Sequence, residues 1–436
     1  MTPAFDASVF RGSRILQGIL KGLARLRATE LFSSEQVFTL GRWLLLFLLF
    51  SCIFVPRFSM ASVGPFYRID LRIEDLLLAL LTLLTLGIMA RKSSLPESPA
   101  VERVFLWFLL IAQVSILGGF FLQTIDKPLL SLFYLLKWVE YFLVFVITSR
   151  FAAARSGSAF FLKTFFALGL AVSCFGYWEH FFPAAKATYP NYYRLFERPP
   201  FHGDANHIGG MLVVWIGFFA GIFLRTDRRP LQAMLLGAVL FAFFPLIWTY
   251  SRKSYFALMA AFVLPFFVRG VRRKLLLLVC LFILFGLAFP TRLPERLIDL
   301  GEAFSSTDPF HSSWAGNWVM WKQALWNFGQ FFLFGSGLGS RHRLFYESQY
   351  ILILAETGVV GFALFGLLLL APLREHLRLR AAGWEEKGIV LGWLMAFAGL
   401  LVHNFSCVSL TVSKIAIPFW FLTAATLTYF KQISSR

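Results

Sequence analysis

Charge is scarce in this 436-residue chain: 15% of its residues are Asp, Glu, Lys or Arg, against about 25% in soluble domains. Acidic residues are scarcest, 23 against 41 basic ones. A cytosolic enzyme and a disordered protein are excluded on this count, since both need far more solvated charge. Cysteine is also sparse. Cys52, Cys174, Cys280 and Cys407 sit in or beside apolar segments without paired spacing, so they form neither a disulfide framework nor a metal site and read as small apolar fillers. There is no nucleotide-phosphate loop, zinc spacing, Cys/His dyad or serine elbow in a usable context, no repeat of 20–50 residues and no low-complexity tract.

What fills the chain is apolar. Hydrophobic residues make up 58% of it, phenylalanine alone supplies 53, and mean hydropathy is +0.70. Runs long enough to cross a bilayer centre on 37–55, 73–90, 104–122, 128–148, 159–178, 208–224, 231–249, 254–268, 274–289, 350–370, 388–405 and 415–430. The fold class expected is an all-α polytopic membrane protein of about twelve transmembrane helices, with 254–268 the shortest run. Residues 37–436 form one transmembrane domain. Residues 1–36 carry Val9, Ile15, Leu16, Ile19, Leu20 and Leu23 at helical spacing among five basic residues. They read as a basic amphipathic helix on the anionic cytoplasmic leaflet rather than a cleavable signal peptide.

The net charge of +18 points to membrane topology rather than nucleic acid, because the basic residues cluster between apolar runs. With the N-terminus inside, inner segments hold 24 Lys/Arg and outer segments 15, while Arg42 and Lys137 lie within helices. Both termini are therefore expected in the cytoplasm. Fifteen outer basic residues are many for that face, and an outer surface that keeps them is expected to bind an anion.

Two outer loops, 179–207 and 290–349, are long enough to carry function. In the second, Trp314, Trp318, Trp321 and Leu325 fall at spacings of 4, 3 and 4, which predicts one stripe of an interfacial helix resting on the membrane, with sugar stacking as the competing role. In the first, Arg198 is followed by His202, Asp204, Asn206 and His207. Arginine can clamp a phosphate through two parallel hydrogen bonds. Asn206 either orients a sugar hydroxyl or caps the following helix, and the two histidines with Asp204 lack a standard metal spacing. Arg252 and Lys253 stand on a very short turn, where they read as an anion clamp or as snorkelling cations. Next come glycines at 335, 337 and 339, Arg341, His342, Glu347 and Tyr350. Glu347 and His342 are the candidates for a general base. Lys137 and Glu140 share a helix face and read as a self-neutralising pair. Arg68, Asp70, Arg72, Glu74 and Asp75 read as solvated charge at the start of the second helix.

In this order the segments "ERPPFHGDANHIGG", "TYSRKSY" and "GSGLGS…ESQYILILAETGVVG" resemble the O-antigen ligase and polymerase superfamily. "RIDLRIEDLLLALL" and "LKWVEYFLVF" extend the resemblance over most of residues 60–370. It implies a GT-C-like helical glycosyltransferase in the bacterial inner membrane, with interfacial helices in its long outer loop and its active site at the outer face. The implied donor is a glycan on undecaprenyl diphosphate, with a glycan or glycolipid acceptor, membrane lipid around it and other proteins of a polysaccharide assembly system as partners. No metal or other cofactor is implied. The two family arginines match Arg198 and Arg252. The family histidine and the asparagine after it correspond to Glu347 and Ser348, so Glu347 is assigned the base, and Asn317 stands where an arginine often precedes Trp321. His202, Asn206, Lys253, Arg341, His342 and Tyr350 are assigned to substrate binding. The missing histidine tilts the expectation towards a polymerase over a ligase. The alternative class is a transporter or flippase, which would be expected to keep its ionisable groups near the midplane on broken, repeated helices.

Overall fold

A computed structural model gives the fold. It describes residues 34–55, 58–62, 68–91, 99–153, 157–182, 195–196, 205–288, 313–340, 347–379 and 383–434. The amphipathic segment expected within residues 1–36 falls almost entirely outside them.

Among the described residues the chain forms thirteen α-helices and one short hairpin. In order these are α1 (Ser34–Phe54), β1 (Phe58–Ser62), β2 (Arg68–Leu71), α2 (Ile73–Arg91), α3 (Pro99–Phe121), α4 (Pro128–Ala152) and α5 (Gly157–Phe181). Then come α6 (Ala205–Arg225), α7 (Arg229–Trp248), α8 (Arg252–Val263), α9 (Arg272–Ala288), α10 (Ser313–Gln330), α11 (Gln349–Arg378), α12 (Trp384–Ser406) and α13 (Ser413–Ser434). Each of the twelve apolar runs lies on a helix. Eight of them (α1, α3 to α7, α11 and α12) are long and apolar enough to cross a membrane. The fold is that of a polytopic membrane protein. α8 has 12 residues, about 18 Å against a hydrocarbon thickness of about 30 Å. It gives way to a tight turn, Leu264–Phe267, that contains Pro265, a residue without the N–H that a continuing helix needs.

The all-α architecture carries one short hairpin besides its helices. β1 and β2 pair antiparallel, Phe58 with Leu71 and Ser62 with Arg68, and an irregularity between Ser59 and Ala61 absorbs the extra residue of β1. Arg68 and Asp70 thus belong to a strand rather than to the start of a helix.

α6 is the central helix, buried along almost its whole length. Its Gly217 and Gly221 face Gly392 and Ala396 of α12. A Cβ on Gly217 would lie 3.0 Å from the Ala396 nitrogen, and one on Gly221 would collide with the Gly392 backbone. Small residues four apart let the two backbones touch, which is how helices associate where lipid gives no hydrophobic drive. The same core continues between α3, α4, α11 and α13, where Phe108 and Trp138 meet edge to face at 4.8 Å and Phe105 packs on Trp420 at 5.1 Å.

α11 is broken at Gly358, whose φ of 67° and ψ of −170° are not helical. The glycine-rich stretch docks into that break. Ser336 N–H donates to the Ala355 carbonyl (2.9 Å) and Gly337 N–H to that of Glu356 (3.0 Å), while Val359 and Val360 donate back to Phe332 and Leu333. Ser115 Oγ adds a 2.5 Å bond to the Glu356 carbonyl. Any side chain on Gly335 would strike the Glu356 main chain. A helix break at membrane depth survives only if its freed polar groups are re-satisfied, and here residues 331–340 do that. The glycines of "GSGLGS" thus serve packing, and Glu356 Oε1 accepts from the Gly339 N–H at 3.1 Å.

Candidate active site

At one end of the bundle the first turns of α6, α8 and α11 converge with the end of α12 and the 407–412 connection to α13. The first turn of α8 carries two adjacent cations, Arg252 and Lys253, both half-buried. Ser251 caps it, its side chain accepting from Ser254 N–H. Cations are disfavoured beside the positive end of a helix dipole, so two of them there require anionic company. Glu347, two residues before α11, supplies part of it. Lys253 Nζ makes a close ion pair with Glu347 Oε2, and Asn317 Nδ2 of α10 donates to the same oxygen at 3.2 Å. The carboxylate is 30% exposed, open enough to meet a ligand. Tyr350, one turn further on, donates its hydroxyl to the Leu401 carbonyl at 2.8 Å, and its ring stands 6.4 Å from that of Phe405. Asn404, fully buried, lies against Tyr350, yet neither of its amide atoms completes a hydrogen bond.

Below this mouth is a buried polar layer. His403, near the end of α12, is sealed from solvent. Its Nε2 lies 3.3 Å from Ser254 Oγ and its Nδ1 2.7 Å from Ser409 Oγ. Gln349 Oε1 accepts the Leu410 N–H at 3.0 Å, tying the start of α11 to the same connection. Asn206 and His207, both half-buried, belong to the first turn of α6. His207 contacts Cys407. Burial raises the thiol's pKa, but His207 and the Lys253 charge outweigh it, so Cys407 ionises below its ordinary range. Cys407 is thus a buried free thiol at the edge of the polar layer.

The charges around α2 form a separate cluster. Lys137 bridges Asp75 (3.1 Å) and Glu140 (2.7 Å), and Arg72 joins Glu74 (3.2 Å) and Ser413 Oγ (2.7 Å). Lys137 and Glu140 are thus part of an interhelical network rather than an isolated pair, and Arg72, Glu74 and Asp75 are not simply solvated. Tyr141 donates to the Thr411 carbonyl at 2.9 Å, so the 407–412 connection has the charge cluster on one side and the His403 layer on the other.

The tryptophan stripe is also corrected. Trp318 and Leu325 are exposed (50% and 46%), but Trp321 points inward at 6% and meets Phe405 edge to face at 5.6 Å. α10 has one face towards the bundle, with Asn317, Trp321 and Ala324, and an opposite face with Trp318 and Trp326. Trp314's side chain lies outside the description.

Of the assigned site residues the structure brings Arg252, Lys253, Asn206, Glu347 and Tyr350 to one end of the bundle. Arg198, His202, Arg341 and His342 lie outside the described residues. Leu195 and Phe196, just ahead of Arg198, are tied down: Leu195 N–H donates to the Trp248 carbonyl (3.3 Å) and Phe196 N–H to the buried carboxylate of Glu179 (2.8 Å). Sequence reasoning missed His403, Ser254, Ser409 and Asn404. His403-Asn404 is a polar pair near the end of an apolar run, which was the available signal.

No curated protein matches the chain. A family model described as O-antigen ligase matches residues 236–366, under a third of the chain but the stretch that bears Arg252, Lys253, Asn317 and Glu347, and it shows the resemblance to the O-antigen ligase and polymerase superfamily.

Proposed function

We propose that this protein is a GT-C-like, metal-independent glycosyltransferase of the bacterial inner membrane. It transfers a glycan from undecaprenyl diphosphate to an acceptor sugar hydroxyl at the outer face, with both termini in the cytoplasm. The observation that carries the reading is the convergence of Arg252 and Lys253, at a helix N-terminus, with the carboxylate of Glu347. The backbone N–H groups of the first turn, the guanidinium and the ammonium are suited to the charge that builds on a departing diphosphate. Arg198 is assigned to the same anion on the resemblance.

In the reaction the bond from the donor's anomeric carbon to the diphosphate oxygen breaks, and its electron pair leaves with the diphosphate. The acceptor oxygen forms the new bond to that carbon, and its proton passes to Glu347. Arrival of the diphosphate gives Lys253 a second anionic partner, which loosens its hold on Glu347 and frees the carboxylate for the proton. Asn317 keeps Glu347 oriented meanwhile. The long outer loop 290–349 is assigned the exclusion of water from the donor's reactive carbon.

A polymerase is favoured over a ligase, because the family histidine is replaced by Glu347. A glycolipid profile of a deletion strain tests both statements. Single repeat units on the lipid carrier or final acceptor identify a polymerase, and full-length chains stranded on the carrier identify a ligase. An unchanged profile overturns the glycosyltransferase reading.

A further inference from the structure

We propose that His403 is a positioning residue that, through Ser254 and Ser251, fixes the first turn of α8 and with it Arg252 and Lys253. The inference rests on the reading of the site given above.

The hydrogen bonds run in one direction. Ser254 Oγ gives its only proton to Ser251 Oγ at 2.9 Å, so towards His403 it acts as an acceptor. Nε2 of His403, 3.3 Å away, therefore carries the ring proton. Nδ1 is left as the acceptor for the Ser409 hydroxyl at 2.7 Å, which assigns the imidazole the neutral Nε2–H tautomer, with the Asn206 carbonyl a further acceptor beside the ring. The chain ends on the residue that caps α8, whose side chain also receives the Ser254 N–H at 3.4 Å. Arg252 is the next residue. The cap is thus held by a donor from another helix, and chains of this kind strengthen each member.

The surroundings are cut to this arrangement. A Cβ on Gly210 of α6 would lie 2.7 Å from His403 Cε1 and 3.0 Å from Nδ1, and one on Gly209 would strike Ser254 Oγ. His403 and Ser254 are both fully buried, so no water replaces a lost bond cheaply. A leucine would fill the volume without the polar cost. The polarity is explained by what the chain reaches, a turn bearing two cations.

The test compares His403→Gln with His403→Asn in the full chain, purified and reconstituted with a lipid-linked glycan donor. A glutamine amide nitrogen reaches the Nε2 position and still donates to Ser254, whereas an asparagine amide stops at the Nδ1 position. H403Q is expected to keep the donor KM. H403N is expected to raise it about tenfold, the loss of one buried hydrogen bond passed on to the cations, with the acceptor KM unchanged. Ser254→Ala should match H403N, and Ser409→Ala should stay near wild type. Should H403N fail to fold, the S254A and S409A pair carries the same comparison. Equal donor KM values for H403Q and H403N, or for S254A and S409A, overturn the inference. Arg252→Gln run in parallel separates the two levels: if it transfers normally, the reading of the site fails. If it is dead while H403N is silent, only the positioning role falls.

Discussion

Two histidines are sealed inside this bundle, His403 at the site end and His376 at the opposite one, and both have both ring nitrogens engaged. His376 takes the Pro372 carbonyl at 2.8 Å and the Thr426 hydroxyl at 2.9 Å, and it stacks on Trp393 at 3.7 Å with the rings 4° from parallel. The carbonyl can only accept, so Nδ1 carries the ring proton and Nε2 accepts from the Thr426 hydroxyl, and that chain ends among neutral groups of the bundle. The chain from His403 instead reaches the cap beside Arg252. Burial and satisfied hydrogen bonds are common to the two, so neither feature marks function. The end point of the hydrogen-bond chain does.

Changes at the two ends should therefore fail in different ways. Glu347→Gln removes the proposed proton acceptor while keeping shape, and transfer should fall by about 10²–10⁴ without a change in melting temperature. A residual rate near wild type would move the base elsewhere. Arg252→Ala should cost on the order of 10²–10³ in turnover by removing one proposed electrostatic partner of the proposed diphosphate leaving group, read as radiolabelled or sized product per unit of expressed protein. His376→Leu should be the mildest. It removes one buried hydrogen bond while the Thr426 hydroxyl keeps the Leu422 carbonyl as a partner, at a stability cost of about 0.5–1.5 kcal/mol, and transfer per folded molecule should be unchanged when melting and activity are measured on one preparation. A catalytic defect there without a melting shift would erase the contrast between the two histidines.

Helices were the legible part of the fold. Each apolar run from 37–55 to 415–430 lies on one, because a hydrophobic stretch of that length satisfies its backbone in lipid only as a helix. The hairpin at 58–71 was not legible, since two short segments of mixed polarity carry no period long enough to separate strand from loop. The site was half legible. Arg252, Lys253 and Glu347 stand out as charges at the edges of apolar runs, where their presence needs a reason. The meeting of Glu347 with Asn317 across 30 residues, and of His403 with Ser254 across 149, has no sequence signature, because neither spacing falls on one helix. Trp321 shows the opposite failure. Its spacing from Trp318 is helical, yet at three residues apart the two rings point about 60° off one another, enough to turn one inward and leave the other out.

The sequence by itself determined that this chain lives in a membrane and where its helices run, because lipid imposes one rule on every backbone group. It also placed cations at the start of α8 and a carboxylate before α11. Only the tertiary structure decided which of these face one another. Glycines at 209, 210, 217 and 221 bring α6 close to α8 and α12, the broken helix at Gly358 receives residues 331–340, and Lys253, Glu347, Ser254 and His403 reach bonding distance as a result. Hydropathy is a property of each residue and its near neighbours, whereas a site is a set of distances, and distances between helices are set by packing.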